Sequence, residues 1–245
     1  MINMSNPRSL QSLVLRNALH LVLGFTLLPC AVYGQATKSQ SDEVTTSIAR
    51  AKSGDVGVRD VEIIAAAGVV EAVPALEEQF KRATDVKTKA KIASGLVRLG
   101  DKDNTYWNYL LEQARVVVDS DIPDAFFSDS QGKGMDHQFS PELKAWAQAH
   151  NVDVNTAGID SVYDYPVKVL LLGETGDPRG VPLLRRALQA RDGFIVTAAA
   201  KGLAQVQDKD SIPLLIAAAR SAHAGIASEI AKALIYFDDP DAQSA

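Results

Sequence analysis

Apolar and small residues at Ile195, Ala198, Ala199, Gly202, Leu203 and Val206 recur at intervals of three and four, which sets them on one face of a helix beginning near Phe194. The polar run Gln207-Asp208-Lys209-Asp210 ends that face. A second pattern then opens with Asp210 or Ser211 as cap and Pro213 in the first turn, where a missing N–H costs nothing. Its apolar side is Ile212, Leu215, Ile216 and Ala219. Two such patterns in succession predict a pair of antiparallel helices.

The pair recurs. Leu172, Asp177, Pro182 and Leu183-Leu184 stand 31 residues before Leu203, Asp208, Pro213 and Leu214-Leu215, and Leu234 and Asp239 stand 31 after Leu203 and Asp208. Nearer the N-terminus, Gly95-Leu96 precedes Asp101 by the same six residues that separate Gly202-Leu203 from Asp208. Ile63 to Ala67, Pro74 and Leu76, then Lys91 to Leu99 and Leu110-Leu111, supply two earlier units. Self-similarity at this period predicts an all-α solenoid of about five helix pairs, the last incomplete. The recurring Asp101, Asp177, Asp208 and Asp239 are expected to cap the second helix of each pair, where a carboxylate accepts from free N–H groups and complements the helix dipole.

The run Gly173-Glu174-Thr175-Gly176-Asp177-Pro178-Arg179-Gly180-Val181-Pro182-Leu183-Leu184 resembles the HEAT repeats of the phycobilisome-lyase type. The resemblance covers residues 54–118 and 163–245. It implies a right-handed α-α superhelix whose second helices line a concave surface, and it is specific for fold rather than for task. Candidate contacts on that surface are Glu77, Glu78, Lys81, Asn108, Glu112, Arg185, Arg186 and Gln189.

One spacing departs from the rule: Asp101 and Asp177 are 76 residues apart, one period of 31 plus 45 more. The excess falls at 119–162 and predicts an insertion, the place where solenoids often carry specificity. Its first half is acidic, with Asp119, Asp121, Asp124, Asp129 and Asp136, and Ser140-Pro141-Glu142-Leu143 reads as a helix start. Nine aromatics lie from Tyr106 to Tyr165. Most are expected to fasten the insertion to the solenoid, with Trp107 and Phe126 as candidates for exposed anchors.

Residues 1–34 carry Arg8 and Arg16, no acid, and a short apolar run from Ala18 to Leu28, the pattern of a secretory signal. The run is too short for a membrane span. Cys30 follows Leu27-Leu28-Pro29, but proline departs from a lipoprotein box, so the cysteine is expected to leave with the signal. An exported chain, periplasmic or secreted, follows, with 35–53 as polar linker and capping helix. Without Arg8 and Arg16 the 25 basic residues become 23 against 30 acids, a balance of −7 that repels nucleic acid.

Candidate chemistry is sparse. His137, His150 and His223 are isolated and none precedes a glutamate, unlike the His-Glu pairs of di-iron HEAT-repeat hydroxylases; no H-E-x-x-H, G-x-S-x-G or phosphate-loop motif occurs. Asp119, Asp121 and Asp124 lack the order of a calcium loop. Two basic groups remain, Lys81 to Arg98 and Arg179, Arg185, Arg186 and Arg191, spaced either to meet an acidic peptide or polysaccharide or simply to wet helix faces. The sequence therefore predicts a non-enzymatic scaffold for a protein or peptide, with no cofactor and no metal. The alternative is a lyase-like or ligand-binding protein with its site between insertion and solenoid, for which the resemblance implies tetrapyrrole handling. Self-association through Leu234, Ile235 and Phe237 is a third expectation, because the last unit lacks its second helix.

Overall fold

A computed structural model describes residues 38–101, 103–124, 141–150 and 158–237. Its described residues form eleven α-helices and no strand: α1 (Lys38–Ser53), α2 (Val58–Ala66), α3 (Val73–Arg82), α4 (Val86–Arg98), α5 (Asn104–Asp119), α6 (Pro141–Ala149), α7 (Gly158–Glu174), α8 (Val181–Ala187), α9 (Gly193–Val206), α10 (Ile212–Ser221) and α11 (Ala224–Ile235). The all-α solenoid expected from the repeat is what the chain forms.

First helices α2, α4, α7, α9 and α11 pack one on the next in an unbroken spine, and α4 meets α7 directly although the insertion separates them in sequence. Second helices α3, α5, α8 and α10 each lie against the first helix that follows. Helices α5 and α8 also pack side by side. The insertion therefore leaves the stack continuous and emerges beside it, with α6 as its one described helix.

The period leucines make this possible. Leu76, Leu96, Leu110, Leu172, Leu184, Leu203 and Leu215 are all fully buried, each contributing about 2 kcal/mol of apolar transfer. Short 3-10 turns at Val70–Ala72, Pro178–Gly180 and Lys209–Ser211 lead into α3, α8 and α10, and Pro74, Pro182 and Pro213 occupy the first turns of those helices as the sequence predicts. Helix α9 ends where Gln207 adopts a left-handed conformation, φ 59°, and its side-chain amide donates to the carbonyls of Ala204 and Tyr236.

The capping expectation needs correction. Asp177 does accept from the Arg179 backbone N–H at 2.9 Å, but α5 is capped by Asp103, which accepts from Thr105, while Asp101 supports Asp103 instead. The carboxylate of Asp208 makes no cap bond and receives a guanidinium. First helices α4 and α9 have their own caps, Asp85 and Asp192. Asp239 lies outside the described residues. At the C-terminal unit Leu234 and Phe237 are buried, contrary to the expectation of an open apolar end, and Ile235 alone of the three is exposed.

Candidate functional site

Along the second helices, the side chains that leave the core are those at positions between the period leucines. Asn108 and Glu112 on α5 and Arg186 on α8 are exposed, as is Gln189 just beyond it. Glu112 holds Arg115 one turn on, at 3.2 Å. On α3, Glu78 pairs with Lys81 and Arg82. Helices α5 and α8, which carry Asn108, Glu112 and Arg186, are neighbours.

Trp107 does not belong to that surface. It is 4% exposed, with the guanidinium of Arg179 stacked 4.4 Å from its ring and Gly180 beside it. The charge of Arg179 is held by Asp177, whose carboxyl it keeps below the usual range, and by the amide oxygen of Asn104 at 3.1 Å. Trp107 thus joins α5 to the turn before α8, a fastening role rather than an anchor for a partner. Phe126 lies outside the described residues.

Arg185 and Arg186 are adjacent in sequence and differ in situation. Arg185 reaches across to the next repeat, donating through Nε and Nη2 to Asp208 at 2.9 and 2.8 Å and through Nε to Ser211 Oγ at 2.9 Å. This two-pronged link is half-buried and structural. Arg186 instead pairs with Asp119 at the end of α5, and both side chains are about half exposed to water.

The insertion follows the same logic. Arg191 pairs with Glu142 of α6 and lies 3.8 Å from Asp121, while His223 Nε2 lies 3.8 Å from Asp124. Ile122, Leu143 and Ala147 are buried. Trp146 donates its indole N–H to the Ser120 carbonyl at 2.9 Å and meets Tyr165 edge-on. The aspartates Asp119, Asp121 and Asp124 thus face arginines and a histidine on the solenoid.

The spine itself carries a buried ionic chain. Lys91 of α4 is 5% exposed and reaches Glu62 of α2 at 2.8 Å and Glu174 of α7 at 2.9 Å, and Arg98 adds a second bond to Glu62 at 2.8 Å. Burial pushes the Glu62 carboxyl upward, but the bonds from Arg98 and Lys91 outweigh it and hold the group below its ordinary value. Glu229 of α11 is arranged likewise between Lys201 and Lys232.

Residues 169–244 match the family model described as HEAT repeats. The C-terminal part of the solenoid is thus similar to HEAT repeats. No curated protein and no solved structure matches the chain. Among the described residues no group of side chains is placed to hold a metal ion, and no helix is long and apolar enough to cross a membrane. The matched segment takes in α8, α9, α10 and α11, and with them the arginine links just described.

Proposed function

We propose that the protein is an exported, non-enzymatic scaffold of the phycobilisome-lyase HEAT-like type, whose second-helix side receives a protein or peptide. One observation carries the reading: Asn108 and Glu112 stand exposed on one second helix and Gln189 just beyond the end of its neighbour, while every first helix is committed to the spine. A row of polar side chains on a rigid stack offers preformed contacts, so little ordering is needed when a partner docks. Export rests on the basic, apolar and small-residue succession of residues 1–34.

Photo-crosslinking tests the docking side. A crosslinking residue placed at Gln189 or Asn108 is expected to capture a discrete adduct in the native compartment, and the same residue at Ala231, exposed on the first helix α11, is not. Equal capture at all three positions, or capture at Ala231 alone, overturns the assignment. N-terminal sequencing of the mature chain checks export, with a start expected next to Gly34 or Ala36.

A further inference from the structure

Arg186 and Arg191 are the two arginines of the HEAT segment that point toward the insertion, and each is answered there by acids from a different segment. Asp119 comes from the end of α5, Asp121 from the turn after it, and Glu142 from the first turn of α6. The three acids and two arginines are all about half exposed or more, so none is sealed from solvent. Exposed pairs of this kind are individually weak, of order 0 to 1 kcal/mol.

Burial tells the rest of the story. What holds the insertion in place is Ile122, Leu143 and Ala147 in the core and the Trp146 indole on the Ser120 carbonyl. The ion pairs are therefore not needed as fasteners, and exchanging one carboxylate for another leaves the apolar seat intact. Arg185, next to Arg186 in sequence, is already engaged by Asp208 and Ser211.

We propose that Arg186 and Arg191 form a carboxylate-binding strip for an acidic peptide segment, and that Asp119, Asp121 and Glu142 occupy it in the unliganded chain as an internal stand-in for that segment. The strip deepens the scaffold reading, on which it rests, by giving the partner a chemistry. A peptide bearing closely spaced aspartates or glutamates replaces the internal acids one for one, with guanidinium forks suited to planar carboxylates. The internal acids set the threshold, since a ligand must offer more or better-placed carboxylates than they do.

A labelled hexaglutamate peptide tests the strip by fluorescence anisotropy at low salt, where exposed charge pairs are least screened. The variant D119N/D121N/E142Q removes the internal charges without changing shape, and asparagine is at home at position 121, whose φ is 48°. This variant is expected to bind the peptide at least about tenfold more tightly than the native chain, and adding R186Q/R191Q is expected to abolish the gain. Binding no tighter than native, or a gain that survives R186Q/R191Q, overturns the proposal.

The native chain supplies a second readout that needs no variant. Hexaglutamate is expected to shift the Trp146 indole N–H resonance, because its carboxylates on Arg186 and Arg191 change the charge around Asp119 and Asp121, which flank the Ser120 carbonyl that the indole meets, whereas hexaglutamine is not. An indole signal that does not respond to either peptide counts against the strip. Since the probe is synthetic, the strip fails by these results even where crosslinking at Gln189 has captured a partner.

Discussion

Two junctions of the spine are built on opposite principles. Between α4 and α7, helices that the insertion separates in sequence, contact is made by charge and polarity: Lys91 reaches Glu174, and Ser94 Oγ donates to the Leu171 carbonyl at 3.3 Å. Between α7 and α9 it is made by backbone. A Cβ built on Gly173 would stand 2.2 Å from the Gly202 Cα, and one built on Gly202 would stand 2.9 Å from the Gly173 Cα. A junction made by long side chains can adjust, whereas one made by two backbones has no give.

The close junction predicts the larger penalty. Alanine in place of a helix-interior glycine ordinarily stabilises by about 1 kcal/mol, yet G173A is expected to destabilise, because its methyl meets the Gly202 backbone. G202L, with Leu184 methyls at 3.1 and 3.2 Å as well, is expected to cost more than about 3 kcal/mol or to prevent folding. The control is G225A on α11, where nothing lies within 4 Å of the added atom and a small gain is expected. Urea denaturation of the three variants decides the matter, and a stabilised G173A breaks the contrast between the junctions.

The polar junction predicts a moderate loss with a signature. Removing the amine in K91M leaves Glu174 and Glu62 with reduced compensation in a largely buried setting, at a cost of about 2 kcal/mol, reduced from that of a fully buried pair by the remaining Arg98 and partial exposure. The double change K91M/E174Q is expected to recover part of it. The pH dependence carries the sign. The folded Glu62 carboxyl sits below its ordinary value of 4.5, so its contribution is complete above that value and is lost as pH falls through the lowered folded one. K91M is expected to flatten this acid loss in denaturation curves taken at successive pH values. An unchanged acid profile removes the ionic chain from the account of this junction.

Both junctions bear on what the sequence could disclose. Spacing of three and four, prolines in first turns and recurring leucines are local signals, so the helices and their pairing were readable. Partnerships between units were not. The acids Asp119 and Asp121 and the arginines Arg186 and Arg191 were each visible as charge clusters, but only the folded chain brings them face to face. Asp208 sits in the motif position of a cap, and its role is decided by Arg185, which lies in another helix. Trp107 looked available for binding because nothing local announces that Arg179 covers it. Caps Asp85 and Asp192 fell outside the repeated motif and so escaped notice, although an aspartate two or three residues before an apolar periodic run is a signal that finds them.

The smallest expected effect lies on the second-helix side of the close junction, where Arg185 bridges α8 to the turn after α9. Because the backbones of Gly173 and Gly202 already fix that spacing, the guanidinium link adds little positioning, and because it is half-buried its loss is only partly softened by water. R185A is therefore expected to cost about 1 kcal/mol, with R185K little better since an ammonium cannot reproduce the two-pronged bond to Asp208. R186A, whose pair with Asp119 is exposed on both sides, is expected to change stability by less than about 0.5 kcal/mol. Thermal melts of the three variants rank the two neighbours. If R186A proved the costlier change, the pair with Asp119 would be a fastener of the insertion, and the strip proposed for an acidic peptide would lose the exchangeability on which it depends.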